Sequence, residues 1–276
     1  MNTSTQLKAL VRNLSKKTGV EAETLLRNFM MERFLERIAL SGYRNSFILK
    51  GGILIAAMVG IDTRSTLDMD ATLKGQKLTA ANIAAIINDI IAVAIDDGMQ
   101  FSLSGMEEIH EEADYLGFRV SISAQLDKTR QMLKVDITTG DPVTPKEIEY
   151  GFKLMFEDRV IQIMAYNLET VLAEKLETII TRGLANTRMK DFYDIYIMTL
   201  TRDFDRQIFN EALRSTAEKR GTSERMRDIA DTLEVLAQSP MMFDLWQRYA
   251  KKYSYAALIS WSQVIKAAEN LAAYNV

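Results

Sequence analysis

The sequence predicts an α+β chain, with a small mixed sheet interrupted by helices and a helical C-terminal half. Three observations predict it. Short runs of apolar alternation, the mark of half-buried strands, fall between residues 46 and 164. Apolar residues at helical spacing fill 21–40 and almost everything after residue 167. Only three prolines occur, Pro142, Pro145 and Pro240, and no low-complexity linker or internal repeat breaks the pattern. A soft boundary near residue 165 gives two expected domains, 1–165 and 166–276.

The elements follow in order. Glu21–Leu40 reads as an amphipathic helix, with Leu25, Phe29, Phe34 and Ile38 on or near one stripe. Ser46–Leu49 is a short strand that leads through Gly51-Gly52 into a helix over Ile53–Val59. Thr66–Leu73 alternates as a strand. Thr79 caps a helix that runs to about Asp97 and stops before Gly98. Gln100–Leu103, Gly117–Ala124 and Met132–Thr138 are strand-like, and Ile148–Phe156 with Arg159–Met164 form a hairpin around Glu157-Asp158. Asn167 caps Leu168–Arg182, which Gly183 ends. Further helices fit about Arg188–Leu200, Asp205–Glu218, Ser223–Gln238, Phe243–Lys252 and Tyr255–Tyr274.

Composition removes several chemistries. With no cysteine in 276 residues, disulfides and thiolate metal sites are excluded. The single histidine, His110, rules out a histidine-rich zinc site, and its acidic setting EEIHEEAD suits a solvated loop better than a nucleophile's base. No apolar run approaches a membrane span, and the first residues lack a secretion signal's apolar core, so a cytoplasmic location without membrane attachment is expected. The net charge of −3 is unevenly spread. Residues 1–50 carry nine Lys/Arg against four Asp/Glu, residues 51–150 eight against sixteen, and residues 151–276 seventeen of each. An acidic middle suits divalent metal and a basic start suits an anionic partner, although solvated surface explains both equally well.

The acidic middle holds a specific pattern. In a strand over Thr66–Leu73, Asp68 and Asp70 share one face while Leu67, Met69, Ala71 and Leu73 point to a core. Two carboxylates on one face repel unless a cation lies between them, and a hard ion such as Mg²⁺ takes such oxygen ligands. Asp136 stands between apolar neighbours in LKVDIT and completes a three-carboxylate cluster if its strand lies beside the first. Upstream, Gly51 and Gly52 open a helix, where backbone N–H groups and the helix dipole favour phosphate. The competing reading is an exposed strand face with Asp136 capping a turn.

Three blocks carry a resemblance: ERFLERIALSGYRNSFILKGGILIAAMVGIDTRSTLDMD, KVDITTGD at 134–141, and NLETVLAEKLETIITRGLANTRMKDFYDIY at 167–196. In this order they resemble the AbiEii/AbiGii toxin family of the DNA polymerase β-like nucleotidyltransferases. The resemblance implies a minimal nucleotidyltransferase domain with a small mixed sheet, then a helical domain completing the active-site cleft. It implies Asp68, Asp70 and Asp136 as ligands of Mg²⁺ or Mn²⁺, and Lys175 and Asp191 as catalytic, with Asp194 beside them. Family members usually carry Ser or Thr just after the glycines or in place of the second; this chain has Ile53 after them, which leaves only backbone contacts to phosphate there. Arg64 matches an arginine common in the family.

On the helix after Asn167, Lys175, Ile179 and Arg182 share a face. Lys175 offers a point charge to a triphosphate, while Arg182 and Arg188, with Lys190 nearby, brace phosphate. Without the resemblance, surface ion pairs that lock two helices explain Lys175, Asp191 and Asp194 as well. The expected activity is NMP transfer from an NTP to an acceptor, tRNA first, by the toxin of a toxin–antitoxin or abortive-infection pair active in phage defence. A cognate antitoxin encoded nearby is the expected partner. The alternatives are small-molecule transfer of the antibiotic-modifying kind and a nucleotide-binding regulator without catalysis.

Overall fold

The computed structural model describes residues 3–60, 66, 68–111, 115–140 and 142–273. The chain divides into two compact units, Met1–Gly140 with Glu147–Ala165, and Asp141–Lys146 with Tyr166–Val276.

The first unit is built on a seven-stranded mixed sheet. Its elements are α1 (Ser4–Thr18), α2 (Ala22–Leu40), β1 (Phe47–Lys50), α3 (Gly51–Val59), β2 (Met69–Leu73), α4 (Ala80–Ile91), β3 (Met99–Glu111), β4 (Tyr115–Leu126), β5 (Thr129–Thr138), β6 (Ile148–Lys153) and β7 (Val160–Ala165). The strand order is β3-β4-β5-β2-β1-β7-β6. β2 runs parallel to β5 and β1 parallel to β7, while the other neighbours are antiparallel. One face is dry: Met69, Ala71, Phe118, Val120, Leu133, Val135 and Ile137 are buried, and α2 packs on β5 and β7, burying Phe29 against Phe156 and Phe34 against Phe101. Each such side chain removed from water contributes about 1.5–3 kcal/mol.

Several elements differ from the sequence reading, each for a local reason. β2 begins at Met69, so Asp68 lies in a bend one residue ahead of it. α4 ends at Ile91 rather than near Asp97. Buried Asp97 forks to Arg37 at 2.8 and 2.9 Å and accepts the Met99 N–H at 3.0 Å, which draws the chain out of helix. The hairpin of β3 and β4 is far longer than its apolar alternation, and His110 sits in β3 rather than in a loop. Helix α1, unassigned in the sequence reading, is capped by Thr3 and buries Leu7 and Val11.

α2 also buries charge. Arg33 contacts Glu32 at 2.7 Å and Glu157 at 3.1 Å, and Arg159 reaches Glu36 at 2.6 Å. The Glu32 carboxylate accepts the Met155 N–H at 2.6 Å. This network pins the chain between β6 and β7 to α2.

The second unit is helical: α5 (Leu168–Arg182), α6 (Met189–Thr201), α7 (Arg206–Arg220), α8 (Ile229–Gln238), α9 (Pro240–Lys252) and α10 (Trp261–Ala272). Asn167 caps α5 by accepting the Thr170 N–H at 2.8 Å and donates to the Thr144 carbonyl at 2.6 Å, which ties the segment 142–146 to this unit. Trp246 and Trp261 are core, with Trp246 donating to the Ile259 carbonyl at 2.9 Å. Among the described residues, no helix is long and apolar enough to cross a membrane.

Candidate active site

The face of the sheet turned away from α2 carries a row of charge. Register partners share a face, so the pairing places Lys50 opposite Asp70, Asp70 beside Asp136, Asp136 opposite Arg119, and Arg119 opposite Glu107. The row therefore alternates little at its centre, where two carboxylates are neighbours. Apolar residues one position along each strand hold the row in place, because a slip of one residue would turn every strand inside out.

Asp70 lies against the head of α3. Gly51 adopts φ +68°, and a Cβ built on it would meet Asp70 Oδ2 at 2.0 Å. Glycine is thus required twice at this position, by backbone conformation and by the carboxylate that takes up the space. The helix GGILIAAMV contains no polar side chain and buries Gly52 to Ala56 and Met58, which fixes its N-terminus beside the row. Buried Ile53 belongs to this packing. The N–H groups and dipole of a helix start suit an anion, and here the Asp70 carboxylate packs against it.

Asp136 is held by a residue that the sequence reading missed. Arg119 donates from Nε to Oδ1 at 2.8 Å and from Nη2 to Oδ2 at 2.7 Å. This forked pair uses both carboxylate oxygens. The hydrogen bonds and charge of Asp136, with smaller contributions from Asp68 and Glu107, push the guanidinium still further above its ordinary pKa, so it is always charged. A usable signal was present. β4 and β5 meet in a two-residue turn in which Asp127 takes φ 51°, and counting back seven positions from Leu126 and forward seven from Thr129 gives Arg119 and Asp136. Lys50, buried opposite Asp70, was likewise passed over as part of a glycine turn.

In the second unit, α5 and α6 bring together Lys175, Asp191 and Asp194. The Lys175 Nζ lies 2.6 Å from Asp191 Oδ1 and 2.8 Å from Asp194 Oδ2. The two aspartates are 2% and 0% exposed and the lysine 14%, so these are not the surface pairs weighed against function. Burial alone would lower the Lys175 pKa, but the charges and hydrogen bonds of Asp191 and Asp194 outweigh it and hold the ammonium above its ordinary value. Arg188 Nε stands 3.1 Å from Asp191 Oδ2. Burial and the nearby Arg188 lower the Arg182 pKa, as expected where two guanidiniums crowd together. Lys190 is exposed on α6.

Among the described residues, no three His, Cys, Asp or Glu side chains converge on one point that would hold a metal ion. Asp136 is turned to Arg119, and Asp68 lies ahead of the strand that carries Asp70. The donor set is nonetheless hard oxygen, and Asp70 and Asp136 are in register on one face beside a helix start, an arrangement that fits Mg²⁺ or Mn²⁺. Arg64 lies outside the described residues.

Comparison with known proteins shows the family and the fold. No curated protein matches the sequence significantly. Among solved structures, MenT4, a nucleotidyltransferase toxin from Mycobacterium tuberculosis, superposes with a TM-score of 0.55 at 13% identity, over 97% of this chain and 98% of that one. JHP933 from Helicobacter pylori superposes with a TM-score of 0.52 at 14% identity, over 93% and 91%. At such identities these likenesses show the fold. The family model described as "Nucleotidyl transferase AbiEii toxin, Type IV TA system" matches residues 33–267, most of the sequence, and the chain belongs to that family of nucleotidyltransferase toxins.

Proposed function

We propose that the protein transfers a nucleoside monophosphate from an NTP to a hydroxyl of an RNA acceptor, with tRNA the first to test, and that this transfer is divalent-metal-dependent. The observation that carries the reading is the register that sets Asp70 beside Asp136, with the Asp70 carboxylate packed on Gly51 at the head of α3. That juxtaposition offers anionic oxygens for a cation next to backbone N–H groups for phosphate. In the reaction, the acceptor oxygen bonds to the α-phosphorus, the bond from that phosphorus to the bridging oxygen breaks, and pyrophosphate leaves.

The residues divide the work. Asp68, Asp70 and Asp136 are the metal ligands, and Asp136 also takes the acceptor's proton. When bound, Mg²⁺ or Mn²⁺ supplies Lewis-acid activation of the hydroxyl and neutralises charge on the leaving group. Gly51 and Gly52 present backbone N–H groups to phosphate. We assign Lys175, Arg182, Arg188 and Lys190 to the triphosphate, with Asp191 and Asp194 orienting Lys175. Arg64, ahead of the aspartates, is assigned to phosphate. Biologically, the toxin is paired with an antitoxin and acts inside the cell in abortive phage defence.

The test is incubation with Mg²⁺, each labelled NTP and total tRNA. Label enters RNA with the wild type and not with Asp68→Ala, Asp70→Ala or Lys175→Ala, and expression of these variants no longer arrests growth. Full transfer and full toxicity in all three variants would falsify the reading.

A further inference from the structure

Arg119 grips both oxygens of the carboxylate to which the proposed chemistry gives two tasks. An aspartate forked to a guanidinium keeps one lone pair on each oxygen, but its charge is already countered and its better-aligned acceptor directions are taken, so it is a weaker metal ligand and a weaker base. The pair is accessible from the arginine's side: Arg119 is 33% exposed, while Asp136 is buried beneath it. Arginine's long stem lets its head move while its root stays fixed by the β4–β5 register. Asp68 and Glu107 add negative charge near the guanidinium, and the head of α3, the proposed phosphate site, follows β1, with β5 and β2 between it and the strand of Arg119.

Resting on the proposed carboxylate site, we infer that Arg119 is a positioning residue that acts as a built-in counter-ion. It holds Asp136 in reserve, so a divalent cation must displace it, and the freed guanidinium passes to the anionic triphosphate of the arriving nucleotide. The site then assembles with substrate rather than before it. Nothing covalent changes in this step; one ion pair is exchanged for two others. Arginine suits the role because its planar fork matches carboxylate and phosphate alike, whereas lysine offers only a point charge.

The experiment is Mn²⁺ titration of the full-length protein without nucleotide, with free Mn²⁺ read by electron paramagnetic resonance. Arg119→Met binds Mn²⁺ about tenfold more tightly than the wild type, equivalent to about 1.4 kcal/mol. Arg119→Lys, which keeps the charge and the fold but loses the fork, falls between the two. Lys134→Met removes an exposed cation two residues from Asp136 on the same face and shifts affinity less than about twofold, as a general field effect would. In an Asp136→Asn background, Arg119→Met has no effect on affinity, because the two act through one contact. In the transfer assay, Arg119→Met raises the KM for NTP about tenfold. Unchanged or weaker Mn²⁺ binding by Arg119→Met, beside binding that Asp70→Asn abolishes, overturns this inference and leaves the carboxylate site standing. An unchanged KM overturns the handover to triphosphate. No Mn²⁺ binding by any of the proteins overturns the carboxylate site and this inference with it.

Discussion

Two regions of the molecule pair aspartate with a cation, and they do so under opposite conditions. On the sheet, Asp136 meets Arg119 at a half-open face, 12% and 33% exposed. Between α5 and α6, Lys175 meets Asp191 and Asp194 under cover, with the aspartates 2% and 0% exposed. The ionic contacts have similar lengths, so length does not distinguish them. What differs is the alternative open to each ion. An exposed pair exchanges its partner for water, metal or phosphate at little cost. A buried triad has no such exchange, and loss of one member strands the others in low dielectric. The first arrangement suits a reacting centre, and the second suits a fixed charge held ready in one geometry.

Removing the cation from each region tests that difference most severely. Lys175→Met leaves two buried carboxylates without their ammonium and is expected to cost about 3–5 kcal/mol of unfolding free energy. Arg119→Met leaves one buried carboxylate, uncovered on the side where the half-exposed guanidinium stood, and is expected to cost less, about 1–2 kcal/mol. Urea denaturation of both variants measures the contrast, with equal slopes required for a clean comparison. Equal losses would end the distinction between a fixed and an exchangeable pair.

The glycines at the two regions sharpen it next. Gly51 and Gly183 both take positive φ, +68° and +50°. A Cβ at Gly51 meets Asp70 Oδ2 at 2.0 Å, whereas one at Gly183 meets nothing within 4 Å. Gly51→Ala therefore combines backbone strain with displacement of the carboxylate and is expected to cost about 2–4 kcal/mol. Gly183→Ala carries backbone strain alone, about 1–3 kcal/mol, since its ψ of −133° lies outside the left-handed helical region. Thermal unfolding of the two variants reads the difference. A Gly51→Ala protein no less stable than Gly183→Ala would mean that Asp70 is not held against the helix head.

How far the sequence reached follows from the range of the interactions involved. Leu168–Arg182 was legible to the residue because both of its ends are written locally, in the Asn167 cap and the Gly183 stop. Met69 to Leu73 was legible because one buried face imposes a period of two. The end of α4 was not, since Asp97 leaves helical geometry to meet Arg37, sixty positions away in sequence. At the candidate site, residue types and spacing pointed to Asp70 and Asp136 but said nothing of their partners. Arg119 looks like one solvated strand residue among many until the β4–β5 turn is counted out. The ion pairs of Lys175 were foreseen, but not their burial, which depends on how α5 and α6 pack.

A third ionic cluster asks whether burial alone, rather than the choice of unit, makes a pair structural. Glu32 lies in the sheet-bearing unit yet is 3% exposed. Burial raises its pKa from 4.5 to about 7, against the opposing pull of Arg33 and the Met155 N–H. The folded state thus binds the Glu32 proton more tightly than the unfolded chain does. The resulting stability is fully present below about pH 4.5 and is lost as the pH climbs to about 7. Glu32→Gln, which cannot ionise, is free of that loss. The variant is expected to gain on the wild type by about 1–3 kcal/mol between pH 4.5 and pH 7.5. Other titrating groups shift both proteins alike and cancel in the difference. Urea midpoints at the two pH values decide it. A stability difference that stays constant with pH would show Glu32 ionised throughout, held charged by Arg33, and burial would then not be what separates the exchangeable pair from the fixed one.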